Sequence, residues 1–239
     1  MKKYFFMVMA AILAAACTDQ KTGKVETSVE SSNLTDCNIS LNGLKFTKSL
    51  NGADKQVSDS AGTVIFRAKP QSDYFCDPNG KISQNDAAIL FIEVDNKKPF
   101  TYSAKVKAGF TENGIYNAAV LYVYANDTLW QKLCFEQDDR GNHRVVSVRT
   151  VGTSDDNNHD LLNGKEYVYF KISSDTKTIA NYYSLDGQTW QMVRLYKNDY
   201  GDKVYLGICS QAPQSDECIS TFENLTLTID NVSDFRLGE

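Results

Sequence analysis

The stretch Thr178-Ile179-Ala180-Asn181-Tyr182-Tyr183-Ser184-Leu185-Asp186-Gly187-Gln188-Thr189-Trp190-Gln191-Met192-Val193-Arg194-Leu195 decides the fold. Two runs rich in aromatic and β-branched residues flank Asp186-Gly187. Glycine reaches positive φ at low cost, so this dipeptide between strand-forming runs signals a hairpin. The strands it predicts are Thr178–Ser184 and Trp190–Leu195.

The same alternation repeats outward in both directions. Toward the N-terminus it predicts strands at Thr63–Ala68, Ala87–Asp95, Phe100–Ala108, Ala118–Tyr124, Trp130–Glu136, Arg144–Val151 and Glu166–Ser173. Toward the C-terminus it predicts Lys203–Cys209 and Ile219–Ile229. The breaks carry turn chemistry: Asn113-Gly114, Arg140-Gly141-Asn142, Asn163-Gly164 and Tyr200-Gly201-Asp202. Helical periodicity is almost absent after the first residues. Short strands at this spacing predict an all-β protein, an antiparallel two-sheet sandwich of jelly-roll type. With 239 residues and no visible repeat or second boundary, one large domain accounts for the chain.

The N-terminus reads differently. Lys2 and Lys3 precede an apolar run, Tyr4 to Ala16. That run falls short of the ~20 apolar residues needed to span a bilayer. A basic start, a short apolar core and small residues at its end read as a secretory signal. Ala14-Ala15-Ala16-Cys17 resembles a lipobox, in which Cys17 takes the lipid. Ala14 stands where an aliphatic residue is usual, and ordinary cleavage after Ala16 is the alternative. From Thr18 to Thr35 the chain is polar and cannot bury enough surface to order itself. The expected division is a signal over 1–17, a tether over 18–36 and the sandwich over 37–239. The expected location is the cell envelope, with membrane attachment through Cys17.

There are 25 basic and 30 acidic residues, a net charge of −5. A phosphate-backbone partner needs clustered Lys and Arg, so nucleic acid is not expected. A neutral polysaccharide is compatible with this balance. Besides Cys17 there are five cysteines: Cys37, Cys76, Cys134, Cys209 and Cys218. Export permits disulfides, and Cys209 and Cys218 flank a loop that a local bridge could close. The odd count leaves at least one thiol free or paired between chains. Cys134 reads as a buried small apolar residue. With no C-x-x-C and only His143 and His159, no metal site is expected.

Trp130, Lys132, Cys134 and Glu136 alternate along one run and therefore share one face of a strand. Tyr122 and Tyr124 share a face on the preceding strand. Aromatic rings stack on the apolar faces of sugars, and charged groups hydrogen-bond their hydroxyls. Trp130, Lys132 and Glu136, with Tyr116, Asn117, Tyr122 and Tyr124 beside them, are the candidate ligand contacts. The competing reading makes Trp130 and the tyrosines inter-sheet core and Lys132–Glu136 a surface ion pair. The run Asp155-Asp156-Asn157-Asn158-His159-Asp160 offers oxygen ligands but lacks EF-hand spacing, and reads as a solvated loop.

Several stretches carry a family resemblance. They are Ser72-Asp73-Tyr74-Phe75-Cys76-Asp77-Pro78, Phe100-Thr101-Tyr102-Ser103-Ala104-Lys105-Val106, and Tyr116-Asn117-Ala118-Ala119-Val120-Leu121. Trp130-Gln131-Lys132-Leu133-Cys134-Phe135-Glu136 and Tyr183 to Trp190 complete the set. In order and spacing they resemble the uncharacterised YesU-like, or regulation-of-enolase-protein-1-like, family, also called domain of unknown function 1349. The resemblance implies a concanavalin A-like lectin/glucanase fold, similar to the C-terminal sandwich modules of bacterial β-xylosidases. It implies a concave sheet as the ligand face. It also admits a Ca²⁺ held by the sandwich; no other cofactor is expected. Ala118, Val120 and Tyr124 depart from the family's usual Gln, Gly and Arg on that face.

No catalytic residue is assigned. Glu93-Val94-Asp95 is similar to the Glu-x-Asp-x-x-Glu strand of β-glucanases, but Lys98 stands at the third acid. Retaining hydrolysis needs two carboxyls ~5–5.5 Å apart. Ser184 to Trp190 resembles the Asp-box hairpin, which is structural. Neither histidine has a Gly-x-Ser-x-Gly motif near it. The leading functional expectation is an exported, lipid-anchored, carbohydrate-binding or glycan-handling protein without catalysis of its own. The alternatives are a hydrolase or lyase of the same superfamily, with Glu136 and Glu93 as the available acids, and a structural or protein-interaction module.

Overall fold

The computed structural model describes Ser31 and residues 33–239. The expected signal and Cys17 lie outside the described residues. In chain order the strands are β1 (Leu34–Leu41), β2 (Leu44–Leu50), β3 (Val57–Ser60), β4 (Thr63–Arg67), β5 (Tyr74–Cys76) and β6 (Ser83–Asn85). Then come β7 (Ile89–Asp95), β8 (Phe100–Lys107), β9 (Ala118–Asn126), β10 (Leu129–Gln137), β11 (His143–Val151) and β12 (Thr153–Leu161). The last are β13 (Val168–Ser174), β14 (Thr178–Ser184), β15 (Gln191–Lys197), β16 (Lys203–Gln211) and β17 (Ile219–Thr228).

These strands form two antiparallel sheets packed face to face. One has eight strands, in the order β1-β2-β7-β16-β9-β10-β11-β12. The other has seven, in the order β15-β14-β13-β8-β17-β4-β3. A small ribbon, β5-β6, lies apart from both. The protein is thus the all-β sandwich that the strand spacing implied.

Side-chain alternation explains two separate cores. Between the sheets, Leu121, Val123, Leu133 and Phe135 pack with Val106, Phe170, Ile172 and Phe222. On the opposite face of the eight-stranded sheet, Tyr122, Tyr124, Trp130 and Cys134 pack with Phe91, Tyr205 and, from β5, Tyr74. Every residue of β10 is consequently buried. A strand covered on both faces loses the clean polar alternation of a half-exposed one. Gly207 is needed in this second core, because a Cβ there would come within 2.5 Å of the Phe91 ring.

The Asp186-Gly187 turn forms as expected. Gly187 has φ +74, and the Asp186 carboxylate accepts the backbone N–H groups of Gln188 and Thr189, each at 2.8 Å.

Four features differ from the expectations. The oxygen-rich run at Asp155–Asp160 is strand β12, not a loop. Its charges and amides are those of an edge strand, where polar side chains discourage pairing with another chain. Cys209 and Cys218 do not bridge; both are free and buried, as is Cys134. Cys209 points into the second core, whereas the Cys218 thiol lies 3.6 Å from the Ser220 hydroxyl. β1 begins at Leu34, inside the segment that composition reads as tether. β15 begins at Gln191, leaving Trp190 in the turn, packed by the C-terminal segment through Val232 and Phe235.

Candidate functional site

Register places the candidate residues in rows across the eight-stranded sheet, on the face turned away from its partner. The first row runs Tyr205, Tyr124, Trp130, Thr150 and Ser154. The next is Gly207, Tyr122, Lys132, Val148 and Asp156. Then come Cys209, Val120, Cys134, Val146 and Asn158, and last Gln211, Ala118, Glu136, Arg144 and Leu161. The first two rows carry large aromatics, and the last two carry small residues at their centre.

The aromatic rows are roofed. Tyr74 of the β5-β6 ribbon meets Trp130 edge-on at 5.6 Å and Tyr124 at 6.2 Å between ring centres. The hydroxyls of Tyr74 and Tyr124 both donate to the Asp127 carboxylate, in the β9–β10 turn. The Trp130 indole N–H donates to the Asp127 carbonyl at 3.2 Å. Trp130 is 1% exposed, and Tyr122 and Tyr124 not at all. These three expected contacts are therefore the buried floor beneath a ribbon. They sit on the ligand-type face, yet their rings have no access to a sugar. Neither sequence reading was complete: they are core, but not the inter-sheet core.

Lys132 holds the ribbon down. Its ammonium donates to Asp73 Oδ1 at 3.1 Å, to the Tyr74 carbonyl at 3.0 Å and to Gln211 Oε1 at 3.1 Å. All three N–H donors are committed. Burial disfavours its charge, but Asp73 first among its neighbours outweighs that and raises the pKa. Lys132 is thus a clamp at the wall of the cleft rather than the surface partner of Glu136. Asp73 is fixed in turn, since its backbone N–H donates to Asp86 Oδ1 at 2.9 Å. Asn117 is also buried, and its side-chain N–H₂ donates to the carbonyls of Gly109 and Glu217.

Past Lys132 a cleft of about 680 Å³ opens over Val146, Val148 and Arg144. This is the size of a small-ligand site. Glu136 lies in its floor. Phe75, Ile82 and Gln84 of the ribbon form one wall; Asp138 to Asn142 form another. Asp156, Asn158 and Leu161 of β12 and the Pro213-Gln214 loop complete the rim. Tyr116 faces the same space from a positive-φ position, φ 62. Its backbone is held there by an N–H bond to the Gln137 carbonyl at 2.7 Å.

Glu136 is 8% exposed and accepts no hydrogen bond from any described residue. Desolvation pushes its pKa up to about 8, with Asp73 and Asp156 adding to the rise against the pull of Lys132 and Arg144. The Arg144 guanidinium beside it is engaged by Asp138, with Nε and Nη2 donating to Oδ2 at 3.0 and 2.8 Å. Burial opposes the Asp138 charge. Bonds from the backbone N–H groups of Asn142 and Arg140, and from Arg144, win, and its pKa is lowered. The Tyr116 phenol is raised by desolvation and then by Asp139 and Glu136.

Glu93 shares the face with Trp130 but sits opposite Tyr205, on β7. Glu136 is six residues along β10 from Trp130 and three strands from β7. At ~3.3 Å per residue and ~4.8 Å per strand, the two carboxyls are roughly 25 Å apart. They cannot flank one glycosidic bond, which needs at most ~9.5 Å. Among the described residues no group of three or more His, Cys, Asp or Glu is arranged to hold a metal ion.

Of the expected contact residues, Glu136, Tyr116 and Lys132 line the cleft, and Asn117, Tyr122, Tyr124 and Trp130 do not. Sequence reasoning missed Arg144, Asp138, Gln211, Phe75 and Ile82. Gln211 could have been reached by extending the period-2 pattern two residues beyond Cys209. Asp156 lay inside the oxygen-rich run but needed the strand assignment to be placed.

The two antiparallel sheets form a sandwich of concanavalin A-like fold. The chain belongs to the family described as "Protein of unknown function (DUF1349)", whose model matches residues 50–229. It is similar in structure to a functionally unknown protein from Saccharomyces cerevisiae, at 22% identity and TM-score 0.67, covering 85% of this chain and 100% of that one. It is also similar to the Bacteroides ovatus xyloglucan PUL GH43B, at 15% identity and TM-score 0.61, covering 85% of this chain and 40% of that chain. A xylan beta-1,4-xylosidase from Bacillus halodurans C-125 matches at 13% identity and TM-score 0.59, covering 82% and 39%. The chain thus spans about two fifths of each of those two proteins. A comparison with curated proteins found no match.

Proposed function

We propose that this chain is an exported, lipid-anchored glycan-binding protein of the cell envelope that holds an oligosaccharide in the Glu136 cleft without cutting it. One observation carries the reading: a cleft on the lectin-type face, lined by both donors and acceptors and edged by apolar groups. Glu136, Asp156, Asn158, Gln84, Asn142 and Tyr116 supply polar atoms. Ile82 and Leu161 are about half exposed, at 48% and 55%, and offer apolar contact at the rim. Sugars present that combination of hydroxyls and C–H faces. Anchoring rests on the reading of Ala14 to Cys17, and it would keep the cleft at the envelope.

The test is binding of the purified chain to a broad glycan array, with and without Ca²⁺. Xylan and xyloglucan fragments belong on it, since two structures of similar fold are named for those polymers. A specific hit that is lost in Glu136→Ala and Tyr116→Ala supports the reading. A blank array with a folded protein contradicts it and favours a protein-interaction module. Release of reducing sugar from a bound hit would contradict the non-catalytic part alone.

A further inference from the structure

The charged groups of the cleft are unevenly committed. Two of its three cations are already paired: Lys132 with Asp73, and Arg144 with Asp138. Arg140 stands at the exposed lip. Glu136, Asp139 and Asp156 face the same space with no ion-pair partner among the described residues. An incoming carboxylate or sulfate would meet the carboxylates of Asp139 and Asp156, and past Arg140 at the lip it would find no unpaired cation among the described residues. Like charges brought together discriminate against a ligand as effectively as good contacts favour another.

Glu136 is the deepest of the three. A buried carboxylate that accepts no hydrogen bond is costly, whereas the neutral acid carries its own donor and acceptor. Resting on the glycan-binding reading above, we propose that the cleft takes uncharged glycans and turns away uronates and sulfated chains, and that Glu136 meets the ligand as a neutral acid donating a hydrogen bond to a hydroxyl.

The groups facing Glu136 set the sign of its response to pH. They are Lys132 and Cys134 on β10, Arg144 on β11, Asp156 on β12, Asp73 before β5, Cys209 on β16, Tyr116, and the Asp138-Asp139-Arg140 turn. Burial dominates among them and holds the acid form up to about pH 8. The donated bond is therefore present at neutral pH and lost on going more alkaline.

The experiment measures affinity of the purified chain for matched oligosaccharides, from about pH 6 to about pH 9. The probes are neutral xylo- and cello-oligosaccharides, oligogalacturonate and a sulfated oligosaccharide. The ¹³C shift of the Glu136 carboxyl is followed in parallel. The expected result is neutral ligands bound at least ~10-fold tighter than the charged ones, weakening roughly tenfold per pH unit above the Glu136 midpoint. In Glu136→Gln that pH dependence should vanish, because the amide keeps a donor and cannot ionise. Equal or tighter binding of the charged probes overturns the selectivity. A wild-type affinity flat across the range, or a carboxyl midpoint in the ordinary glutamate range, overturns the neutral-acid role. If no glycan of either class binds at any pH, the functional reading itself fails, and this inference with it.

Discussion

The ammonium of Lys132 lies 3.1 Å from Asp73 Oδ1, and this buried pair joins the β5-β6 ribbon to the sheet face it covers. Asp73 begins the segment that leads into the β5-β6 ribbon, and Lys132 projects from the middle of β10. The bond therefore seals the aromatic half of the face, where Trp130 and Tyr124 lie, and stops where the cleft begins. A face that alternation alone marks as open is split into a closed half and an open half.

Removing one member of this pair should be worse than removing both. Lys132→Met leaves Asp73 charged and unpaired in a nearly dry site, which costs ~3–5 kcal/mol. The double variant Lys132→Met with Asp73→Leu should recover a large part of that loss. Urea unfolding of the two singles and the double measures the coupling. Additive losses would show that the pair is not a clamp.

Trp130→Ala should act on stability rather than on binding. Truncating a fully packed Trp costs ~3–5 kcal/mol. Thermal melting should drop by many degrees, and whatever protein remains folded should keep its ligand affinity. Full stability with lost binding would mean the ribbon lifts off Trp130 in solution.

Glu136 should impose a pH dependence on folding. Its folded pKa, about 8, lies above the ordinary value of 4.5. The folded state then holds the proton more tightly than the unfolded one. This contribution is fully present below about pH 4.5 and is lost as pH rises toward 8. The slope between those limits is at most ~1.4 kcal/mol per pH unit. Glu136→Gln should flatten this part of the stability profile. An unchanged profile would place the Glu136 carboxyl in water.

Gly207→Ala should destabilise the sheet, because the added methyl would meet Phe91 ring atoms at 2.5 and 2.7 Å. Overpacking of this kind costs ~1–3 kcal/mol. Pairing the change with Phe91→Leu should return part of the loss. A neutral Gly207→Ala would mean that Phe91 has room to turn aside.

All eleven strands expected from alternation and turn chemistry are present, because aromatic and β-branched runs between glycine turns leave the backbone few options. The six strands missed have weaker local signals. β5, β6 and β3 are three or four residues long, too short for a period to show. β12 is an edge strand whose polar side chains hide its alternation. β1, the opposite edge of that sheet, reads as polar for the same reason, and in β2 beside it Lys45, Thr47, Lys48 and Ser49 interrupt the apolar residues. The site was half legible. Period 2 along β10 put Trp130, Lys132 and Glu136 on one face correctly. It could not reveal that Tyr74, nearly sixty residues earlier in the chain, covers one end of that face. Nor could it show that the other end stays open over Val146 and Val148, since that depends on which strand lies beside β10.

The most direct test of where the ligand sits is an amide NMR titration of the isotope-labelled chain with neutral xylo- and cello-oligosaccharides. The account predicts shifts centred on Tyr116, Glu136, Arg144 and Asn158, with Tyr124 and Trp130 unmoved. Shifts centred on Trp130 and the β5-β6 ribbon would contradict it and make the aromatic floor the binding surface.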